Sequence, residues 1–85
     1  MAKIDKVKGA FNSCTGPFPY ADFKWLIQRL GYEEVKGRGK TGGSRRRFFN
    51  ADLDDLITLH QPHDGEMKPN MVRAHQTHLR DMGLI

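Results

Sequence analysis

Apolar residues recur with a helical period in three segments of the chain. The three stripes are Ile4, Val7 and Phe11; Phe23, Leu26, Ile27 and Leu30; and Met71, Val72, His75, Leu79 and Met82. Gly31 and Gly83 follow the second and third stripes, where a left-handed residue commonly ends a helix. Pro69 suits the first position of the third. The pattern predicts a short helix over about residues 3–12, a second from Tyr20 and a third from Pro69.

Between the second and third helices the apolar period shortens, which favours strands. "YEEVKGRGK", "SRRRFFN" and "DLITLH" are short segments bounded by glycine-rich or polar turns. Alternation along the last of them directs Ile57 and Leu59 to one side, and Leu56, Thr58 and His60 to the other. We therefore expect three strands, of which the third has one buried side and one exposed side.

The predicted order of elements is helix, helix, three strands, helix, which makes the fold class α+β. A chain of 85 residues is below the size of an average domain, so residues 1–85 are expected to form one domain with a small core. A three-stranded antiparallel sheet with all helices packed on one face would bury every apolar stripe. The other face of that sheet would remain open.

Charge and cysteine content narrow the expected surroundings and partners. The formal net charge is +4 and the pI is about 9.5, which favours a polyanionic partner. Cys14 is the single cysteine, so neither a disulfide framework nor a cysteine-based zinc site is expected. The N-terminal segment lacks an apolar signal region, and no apolar run approaches a membrane span. A cytoplasmic protein that does not contact membranes is the expectation.

The segment "KGRGKTGGSRRR", residues 36–47, is rich in glycine and basic residues. Its Gly-Lys-Thr tripeptide invites comparison with a phosphate-binding P-loop, but that motif needs a glycine where this chain has Glu34. A nucleotide-hydrolysing domain is therefore excluded. The segment is instead expected to be the tip of a basic hairpin.

Alternation along the second predicted strand gives it a surface suited to RNA. Arg45, Arg47 and Phe49 share one side, which would offer guanidinium groups to phosphates and an aromatic ring to a base. Arg46 shares the other side with Phe48 and is expected near the rim of the core. The alternative is that this hairpin carries charge and glycine only for solubility and turn geometry.

The four histidines fall into two pairs with different expected roles. His75 and His78 lie on or beside the apolar stripe of the last helix and are expected to pack at the core or its edge. A metal site built from four imidazoles is disfavoured, because structural zinc sites generally include cysteine. His60 and His63 end a strand and enter a loop, where imidazole can accept or donate a proton near neutral pH. The alternative is a surface turn with no chemistry.

Three stretches of the chain together resemble the HicA family of bacterial toxins. They are "LIQRLGYEEV", "GGSRRRF" and "LHQPHDGEMKPNMVRAHQTHLRDMGLI", and they cover most of the chain from about Tyr20 to Ile85. The shared features are a Leu-Gly helix end, a Gly-Ser pair before the second strand, a Pro-His after the third, a Lys-Pro before the last helix and a terminal Gly-Leu. The N-terminal helix and "HQPH" resemble a branch of that family with a longer N-terminus.

The resemblance implies a fold similar to double-stranded RNA-binding domains (dsRBD-like) and metal-independent cleavage of messenger RNA. It also implies the toxin role in a type II toxin–antitoxin system, in which a HicB-type antitoxin neutralises the toxin. We expect the free protein to be a monomer. The family's catalytic histidine usually follows the Gly-Ser pair, where this chain has Arg45 and Arg46. Arginine stays protonated, so it can hold a phosphate but cannot be the general base.

Two functional expectations follow. In the first, His60 or His63 transfers the proton while arginine binds phosphate, and no cofactor or metal takes part. In the second, the protein binds RNA or its partner without cutting it. The candidate catalytic residues are His60, His63 and Arg45. The candidate RNA-binding residues are Lys40, Arg45, Arg46, Arg47, Phe49 and Lys68.

Overall fold

The computed structural model describes residues 2–35 and 45–85 as a small α+β domain. The elements along the chain are α1 (Lys3–Asn12), β1 (Phe18–Pro19), α2 (Tyr20–Arg29), β2 (Glu33–Glu34), β3 (Arg45–Asn50), β4 (Asp55–His60), β5 (Glu66–Met67) and α3 (Pro69–Asp81). The three predicted helices are confirmed, as is a three-stranded antiparallel sheet. Over the described residues, no helix has both the length and the apolar character of a transmembrane span.

The three-stranded sheet has the order β2-β3-β4, and both of its pairings are antiparallel. In β3 and β4 every second side chain faces inward. Phe48, Ile57 and Leu59 belong to the same buried cluster as the apolar residues of the three helices. On the other side of β4, Leu56, Thr58 and His60 are exposed. The predicted alternation and the predicted open face of the sheet are therefore confirmed.

The turn after α2 depends on Gly31, as its position after the apolar stripe predicts. Gly31 has a φ of +107°, and its N–H donates to the Gln28 carbonyl at 3.2 Å while the N–H of Tyr32 donates to the Ile27 carbonyl at 2.9 Å. These bonds satisfy carbonyl groups that a helix end leaves without partners. A β-carbon at Gly31 would also lie 3.0 Å from the side-chain nitrogen of Asn50. The glycine thus lets the chain reverse close to β3.

A second, two-stranded pairing joins β1 to β5 and was not predicted from the sequence. Phe18 pairs with Met67 and Pro19 with Glu66, and the N–H of Tyr20 adds a hydrogen bond to the Gly65 carbonyl at 2.9 Å. Strands of two residues have no periodicity that a sequence pattern can reveal. The pairing matters because it anchors the segment between β4 and α3 to the start of α2.

Helix α1 is firmly packed, although the sequence left its docking undecided. Phe11 is fully buried, and its ring centroid lies 5.1 Å from those of Phe18 and Phe23. The buried amide of Gln76 in α3 donates to the Phe11 carbonyl at 2.8 Å and to the Cys14 carbonyl at 2.7 Å. The Phe11 carbonyl at the end of α1 and the Cys14 carbonyl just beyond it therefore each accept a hydrogen bond from a side chain of another helix.

We expect replacement of Gln76 by leucine to lower the free energy of unfolding by about 2 kcal/mol, because the Cys14 carbonyl loses its side-chain donor and the Phe11 carbonyl keeps only the N–H of Cys14 at 3.2 Å. Urea unfolding followed by circular dichroism measures the loss. The matched control is Gln28→Leu, since Gln28 is exposed on α2. Equal stability of Gln76→Leu and the wild type would contradict the role of this amide.

Candidate functional site

The outer face of the sheet is the exposed side of its strands. It consists of Glu33, Val35, Arg45, Arg47, Phe49, Leu56, Thr58 and His60. The register arranges these side chains in rows across the sheet. In one row Arg45 lies directly opposite His60, and in the next Arg47 lies opposite Thr58. Because side chains of directly opposed residues are close neighbours, the guanidinium group of Arg45 and the imidazole of His60 occupy one patch.

A third row crosses the outer face at the other end of β3. Phe49 pairs with Glu33 on one side and with Leu56 on the other. Phe49 is 37% exposed and Leu56 is 47% exposed, although both are large apolar side chains. The outer face therefore changes from basic at Arg45 to apolar and acidic at Phe49.

The loop after β4 forms one wall of a shallow cleft of about 330 Å³. Polar residues in its lining are His60, Gln61, His63, Asp64, Glu66 and Lys68. The cleft joins two imidazoles and an ammonium group, so a phosphate and a proton-transfer group can be held side by side. Asp64 and Glu66 limit the net positive charge there, and the Asp64 carboxylate accepts the N–H of Glu66 at 3.1 Å.

Arg46 faces away from Arg45 and is held by other side chains. Its Nε donates to the Gln61 side-chain oxygen at 2.8 Å, and its guanidinium nitrogen lies 3.5 Å from a Glu34 carboxylate oxygen. Glu34 also lies 3.5 Å from the Lys24 ammonium group. Arg46 is half-buried, at the expected rim of the core. Its contact with Gln61 ties the loop between His60 and His63 to β3.

The structure joins three polar side chains in a cluster that the sequence did not predict. The Asp55 carboxylate oxygen Oδ2 accepts the Tyr32 hydroxyl at 2.6 Å and lies 2.7 Å from Nε2 of His78. Although partial burial opposes ionisation, the hydrogen bonds from His78 and Tyr32 leave the pKa of Asp55 below its ordinary value. Burial, and then the hydrogen bond to Asp55, raise the pKa of Tyr32. This Tyr32–Asp55–His78 cluster binds α3 to the start of β4.

One sequence signal for the cluster exists. Asp55 has the same position in the alternation of β4 as Ile57 and Leu59, so its side chain faces inward and needs a partner. The partner could not be identified, because His78 is far away in the sequence. His78 was expected at the core's edge, and its side chain is 38% exposed beside Asp55.

His75 is a packing residue, as its position on the apolar stripe predicts. Its ring centroid lies 5.2 Å from that of Phe23, and it is half-buried. Burial, with a smaller contribution from the nearby His78, lowers the pKa of His75. The neutral ring therefore predominates at neutral pH.

The predicted site residues fall into three groups. Arg45, Arg47 and Phe49 share the outer face with His60, and His60, His63 and Lys68 share the cleft at its edge. Arg46 lies on the other side of β3. Lys40 and the rest of the expected hairpin tip over residues 36–44 lie outside the described residues. The catalytic and RNA-binding roles assigned to these residues remain predictions.

Within residues 2–35 and 45–85, no three His, Cys, Asp or Glu side chains stand close enough together to hold a metal ion. His60 and His63 line the cleft, whereas His78 contacts Asp55. His78 is therefore in a different environment from His60 and His63.

Replacement of Asp55 by asparagine should lower the free energy of unfolding at neutral pH by about 1–3 kcal/mol, because a charged acceptor of two hydrogen bonds is lost. The folded pKa of Asp55 lies below its unfolded value of about 3.9, so its contribution is complete above that pH and declines as pH falls through the folded pKa. Urea unfolding at neutral and acid pH should show the two proteins converging in acid.

The matched control for this measurement is Asp54→Asn. Asp54 is exposed in the turn before β4 with a φ of +50°, a conformation that asparagine also adopts readily. We expect the free energy of unfolding of Asp54→Asn to stay within about 0.5 kcal/mol of the wild-type value. A stability difference for Asp55→Asn that does not shrink in acid would contradict the assigned ionisation.

Comparison with models of protein families, with curated proteins and with solved structures gives no significant match for this chain. The features of the molecule that bear most directly on function are the row in which Arg45 opposes His60 and the cleft beside it.

Proposed function

We propose that this protein is a metal-independent endoribonuclease that cuts messenger RNA, of the kind found as toxins in HicA/HicB toxin–antitoxin systems. The observation that carries the proposal is the strand register, which sets Arg45 directly opposite His60 on the exposed side of the sheet. A cation for phosphate and a titratable imidazole are thereby adjacent on a surface open to a long polymer.

The residues needed for cleavage lie around that row. His60 also lines the cleft that contains His63 and Lys68, so two imidazoles and an ammonium group share one cleft, with Arg45 opposite His60 in the register. Arg47 continues the basic side of β3 by one row, and it can hold the next phosphate of a bound strand. Most of the attraction would come from these charges, so binding should weaken steeply with salt.

The proposed reaction is an attack by the RNA on its own backbone. One histidine of the pair takes the proton from a 2′-hydroxyl, and that oxygen forms a bond to the adjacent phosphorus. Arg45 stabilises the added negative charge on the phosphorane oxygens. As the bond to the 5′-oxygen breaks, the second histidine gives that oxygen a proton. The products are a 2′,3′-cyclic phosphate and a 5′-hydroxyl end.

The proposal includes a fold related to that of double-stranded RNA-binding domains and an inhibitor protein of the HicB type. A three-stranded antiparallel sheet with helices on one side is compatible with that class of fold. The outer face offers exposed apolar side chains, Val35, Phe49 and Leu56, beside basic ones. A protein that covered this face would exclude RNA from His60 and Arg45.

The same apolar side chains favour a second candidate function, a non-catalytic module that binds RNA or protein through the outer face. Such a module needs exposed apolar and basic groups but no titrating histidine. The two functions differ in one measurable way. The nuclease yields new RNA ends in EDTA, whereas the binding module shows salt-sensitive association without product.

Cleavage of a labelled messenger RNA in EDTA should fall by about 10²–10⁴-fold when His60 or His63 is changed to glutamine, because proton transfer is lost. Gel analysis of product ends measures the rate and detects the cyclic phosphate. Full cleavage by the double variant would overturn the proton-transfer assignment. Cleavage that EDTA abolishes and a divalent ion restores would establish a metal-dependent reaction instead.

Replacement of Arg45 by alanine should lower kcat by about 10²-fold, because the charge on the phosphorane loses its partner, while RNA affinity changes much less. Arg45→Lys should recover part of the rate. The matched control is Arg73→Ala, which removes an equal charge from an exposed position on α3 and should leave kcat unchanged. A similar loss of kcat in Arg45→Ala and Arg73→Ala would show that Arg45 contributes only through its charge and does not contact the phosphorane.

A further inference from the structure

We infer that the outer face carries a subsite for an unpaired guanine base, at the end of β3 away from Arg45. Phe49 is the stacking surface of this subsite and Glu33, directly opposite it in the register, is the acceptor of the base's hydrogen bonds. This inference rests on the proposed function, which supplies RNA as the ligand. It adds that the RNA is single-stranded and that the site selects guanine.

The exposed apolar side chains identify the RNA as single-stranded. Phe49 and Leu56 are neighbours in one row, and Val35, which is 41% exposed, lies beside Arg47 in the next row. A duplex would present phosphates, sugars and base edges to these side chains, because its base faces are stacked inside. Bases of a single strand can turn their faces onto an aromatic ring and the apolar groups around it.

A shallow cavity beside Phe49 gives the base a place to enter. Its volume is about 310 Å³, at the lower end of small-ligand sites, and its apolar lining is Phe49, Val35 and Ala51. The carboxylates of Glu33, Glu34 and Asp52 also line it. Such a cavity repels a phosphate, and it accepts a neutral ring that donates hydrogen bonds.

Guanine is the base whose donors suit this cavity. Its N1–H and N2–H groups point the same way and can both reach the two oxygens of one carboxylate. Adenine and cytosine set an amino group beside an acceptor nitrogen, and uracil sets its N–H between two carbonyl oxygens. Glu34 already contacts Lys24 and Arg46, whereas Glu33 is exposed on the same side as Phe49. Glu33 is also the one carboxylate of the three that lies directly opposite Phe49 in the register, so Glu33 is the selecting residue.

The subsite is separate from the proposed cleavage position. Phe49 is four residues from Arg45 along β3, which corresponds to about 13 Å at the rise of an extended strand. Arg47 lies between them on the same side and can neutralise an intervening phosphate. The selected guanine is therefore not the base at the cut but one held farther along the strand.

The test uses binding to short RNA analogues that cannot be cut. Fluorescence anisotropy compares 2′-O-methyl oligouridines that carry one central guanine, adenine, cytosine or hypoxanthine, which lacks the N2 amino group. The guanine oligonucleotide should bind about tenfold more tightly than the others. Glu33→Gln should abolish this preference. Asp81→Asn, which removes an equal charge at the exposed end of α3, should retain it.

The stacking role of Phe49 has its own variants. Phe49→Leu keeps apolar bulk but removes the ring, so all single-stranded oligonucleotides should lose about tenfold in affinity. Phe49→Trp should retain the affinity. The same guanine placed in a base-paired hairpin stem should bind more weakly than in the single strand, because its Watson–Crick donors are occupied.

Each outcome separates the subsite from the proposed reaction. Equal affinities for all bases in the wild type, or an unchanged guanine preference in Glu33→Gln, overturn the subsite even if RNA is cleaved. A guanine preference in a protein that never cuts RNA overturns the nuclease and leaves the subsite standing. Absence of binding to every oligonucleotide, with self-association of the protein instead, assigns the outer face to protein contacts and overturns the subsite.

Discussion

The antiparallel pairing of β3 with β4 is the constraint on which the rest of the structure depends. Because successive side chains alternate across a strand, one register decides at once which residues are buried and which are exposed. Phe48, Ile57 and Leu59 enter the core in this register, and Arg45 is set opposite His60. A shift by one residue would expose the core residues and bury arginines. Packing therefore enforces the geometry of the outer face.

Contacts at both ends of β4 stabilise this register by joining the strand pair to α3 at one end and to the loop after β4 at the other. At its start, Asp55 accepts a hydrogen bond from Tyr32 and lies within hydrogen-bond distance of His78. At its end, Gln61 accepts a hydrogen bond from Arg46, which comes from the inner side of β3. The cleft beside His60 thus has a wall fixed by side chains that do not belong to the outer face. If the histidines of the cleft transfer protons as proposed, they would benefit from such support, because small displacements of catalytic groups lower the rate.

The sequence was most informative where a pattern repeats over many residues. The helical stripes, Gly31 and Pro69 predicted the three helices, and the alternation in β4 predicted its two sides. The pairing of Phe18 with Met67 and the buried amide of Gln76 could not be predicted, because each joins short segments that are distant in the chain. The same limit applies to the candidate site. Alternation predicts that Arg45 and Phe49 share a side, but only the register shows that His60 faces Arg45.

The distribution of charge on the outer face has a consequence for how a polymer would lie on it. Arg45 and Arg47 attract phosphates at one end of β3, and Glu33 repels them at the other. A strand that crosses both ends must therefore keep its backbone on the basic end and turn a base toward Phe49. Electrostatic repulsion thus favours this placement of the backbone, since a backbone on the acidic end would bring a phosphate against a carboxylate. A cation at one end of a strand and a carboxylate at the other are enough to decide which end of a small sheet attracts phosphates and which end is left for a neutral base.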